Sequence, residues 1–131
     1  MSQAGSSTSG GGGGSGVVTV TGTGTSTNGS TEDIITIALA ATGTVYRFYF
    51  MITGRDTTTD DGLGYHVLAS AKTDGVTATL IQTEFIDADE DASLATADIA
   101  LVPSGNTVIL QATGVLGQTI NYSATGNYIS V

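Results

Sequence analysis

The chain has 131 residues, with 12 acidic side chains against three basic ones, Arg47, Arg55 and Lys72, for a net charge of −9. That balance excludes a basic footprint for nucleic-acid phosphates and sets the chain against an anionic membrane surface. There is no cysteine, so disulfides, thiolate metal sites and cysteine nucleophiles are excluded too.

Met1 to Gly16 is dominated by Ser and Gly, with an unbroken run at Gly10 to Gly14, and such a composition cannot bury a core. It lacks the basic and apolar regions of a signal peptide, and no apolar run further on approaches the roughly 20 residues of a membrane span. Residues 1–16 read as an arm ahead of a single domain over 17–131, an expression linker being the alternative reading of the arm. Val17 to Thr25 alternates with threonine and is interrupted by Gly22 and Gly24, which fits a bulge or an edge strand crossing close to another backbone. Asn28-Gly29 marks a turn. Ile34 to Leu39 reads as a strand; Thr31-Glu32-Asp33 before it resembles a helix cap, but the β-branched run favours strand.

Val45 to Thr53 is the richest strand. Tyr46, Phe48, Phe50 and Ile52 share one face and Arg47, Tyr49 and Met51 the other, so a central strand, or a face covered by a second subunit, is expected. Gly54 to Gly64 is a polar loop carrying Arg55, Asp56, Asp60 and Asp61. Tyr65 to Lys72 and Val76 to Ile86 form a predicted hairpin about Thr73-Asp74-Gly75. Asp87 to Ala95 reads as an acidic loop and Ala97 to Val102 as a strand, with Pro103 stopping the ladder. Thr107 to Ala112 and Thr119 to Val131 alternate with period two and read as a terminal hairpin, bent where Gly114 and Gly117 supply backbone freedom. Strands recurring every 10–12 residues or so predict an all-β fold: an antiparallel sandwich, jelly-roll-like, of about eight strands.

Three stretches carry a resemblance: Thr113 to Ala124 (Thr-Gly-Val-Leu-Gly-Gln-Thr-Ile-Asn-Tyr-Ser-Ala), Lys72 to Thr83, and the acidic Asp87 to Ala92. Together they resemble the small C-terminal β-domains of tailed-bacteriophage virion proteins, found at the ends of tail fibres and in capsid decoration. The resemblance spans roughly Thr31 to Val131 and departs at Tyr122, where that family commonly has tryptophan. It implies a β-domain in a virion without saying which part of the particle.

No catalytic set is expected. His66 is the only histidine and lies within a strand, no G-x-S-x-G elbow exists, and the carboxylates lack the aromatic-lined cleft of a glycosidase. Asp87, Asp89 and Asp91 are spaced like the first calcium ligands of an EF-hand loop, with Asp98 at the twelfth position. Ala92 stands where that loop needs glycine, so a solvated acidic turn is the preferred reading and no cofactor is expected, a calcium site of another kind on Asp87, Asp89 and Asp91 being the alternative. Gly114 to Gly117 lacks the lysine and helix of a phosphate loop.

The expected role is a non-enzymatic virion structural protein that decorates or cements the outer surface of a phage capsid through the N-terminal arm and an oligomeric β-domain. It would act as a homo-oligomer, a trimer by expectation, bound to the major capsid protein or other virion proteins. Val17, Val18, Val20, Tyr46, Tyr49 and Met51 are the expected contact residues. The alternative is a tail-fibre knob gripping a host glycan through the Gly54 to Gly64 loop and Tyr65.

Overall fold

Alternating inward and outward side chains produce eight strands in a computed structural model that describes residues 16–131, without the side chains of Phe85 and Ile86. The expected arm over 1–16 therefore lies, except for Gly16, outside the described residues. In chain order the strands are β1 (Val18–Thr27), β2 (Thr31–Ala38), β3 (Thr44–Asp56), β4 (Gly62–Thr73), β5 (Ala78–Glu90), β6 (Asp98–Ser104), β7 (Thr107–Thr113) and β8 (Thr119–Ser130). One short 3-10 turn, Ala92–Leu94, precedes β6. All pairings are antiparallel, in a five-stranded sheet of order β1-β8-β3-β4-β5 and a three-stranded sheet of order β2-β7-β6. The expected antiparallel sandwich is the observed fold.

The inner faces of both sheets build one core. From the larger sheet come Phe48, Phe50, Ile52, Val67 and Ile120, and from the smaller Ile37, Leu101, Val108 and Leu110. Along β3 the rings of Tyr46, Phe48 and Phe50 stack in sequence, 5.8 and 5.7 Å between centroids, with Tyr128 of β8 tilted against the first two. Each such side chain stabilises the fold by about 1.5–3 kcal/mol through burial. As its two apolar faces predicted, β3 is central, flanked by β8 and β4.

Several boundaries differ from the sequence expectation. The terminal pair is not a hairpin: β7 belongs to the smaller sheet and β8 to the larger. A short connection such as Gly114 to Gln118 looks alike in sequence whether the chain turns back within a sheet or crosses to the facing one. Gly117 does take a positive φ of 81°, but Gly114 is needed for space, since a Cβ there would lie 2.2 Å from Ser26 Oγ. The acidic stretch continues β5 as far as Glu90 rather than looping. Pro103 stays within β6, opposite Val108, because β6 is an edge strand whose outer side donates no ladder bond. The polar loop contracts to the residues between Asp56 and Gly62.

At the corner where β1 and β2 part to separate sheets, β2 carries a bulge between Asp33 and Ile35 that turns both Ile34 and Ile35 inward. A Cβ on Gly22 would lie 1.9 Å from the carbonyl oxygen of Ile34, so only glycine lets the two backbones pass. We expect Gly22→Ala to destabilise the fold by about 1–3 kcal/mol through this overlap, read as a fall in melting temperature. Thr21→Ala next to it, on the exposed face, should change stability by less than about 0.5 kcal/mol; equal effects would contradict the close crossing.

Candidate functional site

Three neighbouring strands, β1, β8 and β3, place their side chains in register. Gly24 lies opposite Tyr122 and Tyr122 opposite Gly54; on either side run the rows Thr23, Ser123, Thr53 and Thr25, Asn121, Arg55. Tyr122 points inward, and Gly54 beside it leaves room for its ring: a Cβ on Gly54 would come within 3.1 Å of that ring. Its hydroxyl donates to the Thr113 carbonyl at 3.1 Å, tying the two sheets together. Burial pushes the phenol up to about 12, with the charges of Glu90 and Asp98 adding to the shift.

The two outward rows line an open groove of about 450 Å³. Thr25 Oγ1 donates to Asn121 Oδ1 at 2.8 Å, which orients that amide across the groove. At one end Arg55 gives Nε and Nη2 to Asp60 Oδ1, at 2.7 and 2.5 Å, both side chains being largely exposed. An ion pair so open to water is worth less than about 1 kcal/mol and exchanges its partner readily. No carboxylate lines the groove, although the chain has 12. Period-two reading would have found these hydroxyls as outward residues; their alignment across three strands requires the register.

The residues singled out in the sequence lie elsewhere. Tyr65, expected at a loop edge, is buried in β4, its hydroxyl bonded to Glu90 and, at 3.3 Å, to the Ala97 carbonyl. Burial first, then Glu90, raises its pKa. His66 is on the outer face of the larger sheet, against the ring of Tyr49 and opposite Met51 and Asp87. Asp87 and Asp89 are spread along β5, while Asp91 accepts the Gly62 N–H at 2.8 Å. Among the described residues no three His, Cys, Asp or Glu side chains converge to hold a metal ion. Of the expected contact residues, Val20 and Tyr46 are buried in the chain's own core, which removes them from any surface. Val17 and Met51 are exposed, and Val18 and Tyr49 half-buried.

Asp56 reads in the sequence only as one acid of a polar loop. It is fully buried where β3 ends, its Oδ1 accepting the backbone N–H groups of Thr58 and Thr59 at 2.7 and 3.3 Å. Burial opposes its ionisation, but those hydrogen bonds prevail and hold the carboxyl below its ordinary value. Asp56 thus shapes the loop that presents Asp60 to Arg55.

No protein-family model matches the chain, and no curated protein matches it. Among solved structures it is similar to the tailspike protein of Acinetobacter baumannii phage AM24, with a TM-score of 0.45 and 9% identity over 88% of this chain and 26% of that one. It is also similar to a tailspike protein of Acinetobacter baumannii bacteriophage Fri1, described as a capsular polysaccharide depolymerase, with a TM-score of 0.42 and 15% identity over 85% of this chain and 17% of that one. This chain thus spans well under a third of either tailspike. The expectation of a chain without enzymatic role is corrected here and withdrawn, since one of these similar structures is described as a depolymerase, which is an enzyme.

The raised phenols predict alkaline lability. Their neutral form is favoured by the fold, so the stabilisation is complete below the ordinary tyrosine value of 10.0 and is lost as pH rises through about 12. Melting temperature should fall over that interval, and Tyr122→Phe should flatten the fall while lowering stability at neutral pH by about 1 kcal/mol, from the unpaired Thr113 carbonyl. A pH dependence unchanged by that substitution would contradict the assignment.

Proposed function

We propose that this chain is a tail-associated phage virion protein whose sandwich binds a host-surface glycan in the groove over β1, β8 and β3. The observation that carries the reading is the groove's composition: hydroxyls, an amide and a guanidinium in fixed register, free of carboxylates in a strongly acidic chain. Sugar hydroxyls both donate and accept, and Thr, Ser and Asn side chains do the same. Strands hold these groups more precisely than a loop would. Arg55, released from Asp60, supplies a charge for the carboxylate of an acidic sugar. The phage setting is supported by the sequence resemblance over Thr31 to Val131.

No aromatic ring faces the ligand, since Tyr122 lies beneath the floor. Each site is therefore weak, and useful affinity comes from several copies engaging one repeating polymer. A homo-oligomeric particle protein provides that repetition. A second reading, docking to other virion proteins such as the major capsid protein, is favoured by two exposed apolar side chains on the outer face of the larger sheet, Met51 of β3 at 44% and Ile129 of β8 at 48%.

The test is binding to an immobilised array of bacterial capsular and lipopolysaccharide glycans. Wild type should bind a subset enriched in acidic sugars. Arg55→Ala and Asn121→Ala should each weaken binding about tenfold or more, the loss of one or two charge-assisted or neutral hydrogen bonds. Lys72→Ala, on a different strand and outside the groove, should bind like wild type. An array without any binding, or binding indifferent to Arg55 and Asn121, would overturn the proposal.

A further inference from the structure

A two-sheet sandwich has four edges, and they are treated differently here. The edge of β5 bears Glu84, Asp87 and Asp89 along its length. The edge of β2 has Glu32 and Asp33 together with its bulge, and that of β6 has Pro103. Charge, bulge and proline are the devices that stop a free strand from pairing with another chain. The remaining edge, β1, has none: ten residues, Val-Thr-Val-Thr-Gly-Thr-Gly-Thr-Ser-Thr, without a charge or a proline, in unbroken register with β8. Its other side meets no strand among the described residues. Nearby β2 approaches from the core side, at Gly22 and Gly24, and leaves that side open.

We propose that β1 pairs antiparallel with β1 of a second copy of this chain, joining two larger sheets into one continuous sheet across a two-fold axis. The occupant follows from charge. Two chains of net charge −9 repel, and at the β5 or β2 edge their carboxylates would face each other directly. At β1 the strand itself offers only neutral side chains, and the nearest carboxylate side chain, Glu32 of β2, stands on the core side by Gly24. The strand is also self-complementary. In an antiparallel pair, opposed residues share a face, so any register that sets an odd-numbered β1 residue against another odd-numbered one puts the exposed threonines of both copies on one side. Cross-strand threonine pairs are favourable in that position. The seam runs beside Thr23 and Thr25, so two grooves come to lie on either side of it; the pairing itself does not depend on what the grooves bind. It gives two copies, in place of the trimer expected from sequence.

Sedimentation equilibrium of the full chain tests this. Wild type at about 100 μM should have twice the chain mass of 13.1 kDa. Thr21→Glu places a carboxylate on the exposed face of β1 next to the seam and should return the mass to one chain, with circular dichroism confirming that the fold is kept. Gln82→Glu puts the same charge on the β5 edge and should leave the doubled mass intact. Because the chain has no cysteine, a single Thr21→Cys carries one nitroxide, and its electron paramagnetic resonance spectrum should show dipolar broadening that dilution removes. A wild type of one or three copies, a pair that survives Thr21→Glu, or a label at position 21 without broadening would each overturn the proposal.

Discussion

Everything in this fold depends on two ends of the chain crossing between the sheets together. β1 pairs with β8 in the larger sheet, while their neighbours in sequence, β2 and β7, pair in the smaller. Each pair joins a strand from the first part of the chain to one from the last, so the sandwich closes through contacts that are distant in sequence. Topologies of this kind fold slowly and cooperatively. The crossing is possible because small residues stand where backbones or side chains meet: Gly22 against Ile34, and Gly114 against Ser26. The stacked rings of β3 then fill the space that the crossing encloses.

Charge organises the outside of the molecule as the crossing organises the inside. Carboxylates gather on β5, in the β3–β4 loop and on β2, while β1 itself carries none. The groove and the unguarded edge both involve that strand. A surface that repels copies of itself over most of its area is soluble, and one neutral strip directs where contact occurs. Ligand binding and self-association are thus proposed for adjacent parts of the same three strands.

Much of this was legible in the sequence, and the failures have physical causes. The two faces of β3 could be read directly, because Tyr46, Phe48, Phe50 and Ile52 leave no ambiguity about which side is buried. Gly22 and Gly24 suggested a bulge or a close crossing, and the crossing is what forms. What period-two alternation cannot say is which sheet a strand joins, and so β7 and β8 were paired with each other. Carboxylates on Asp87 and Asp89 suggested a loop, yet an edge strand tolerates them because one of its faces meets water. Tyr65 looked like a sugar platform and is a core residue, since its alternation partner positions, Leu63 and Val67, are both buried. The groove itself was hidden, because Thr25, Asn121 and Arg55 become neighbours only through register across three strands.

The most direct measurement is a heteronuclear NMR titration of the uniformly labelled protein with an acidic bacterial capsular oligosaccharide. If the groove is the binding site, the Asn121 side-chain amide, the Arg55 Nε–H and the backbone amides of Thr23, Thr25 and Ser123 shift together and saturate along one isotherm. Shifts centred on β5 or the outer face around Met51, or a spectrum that does not change, would contradict the account.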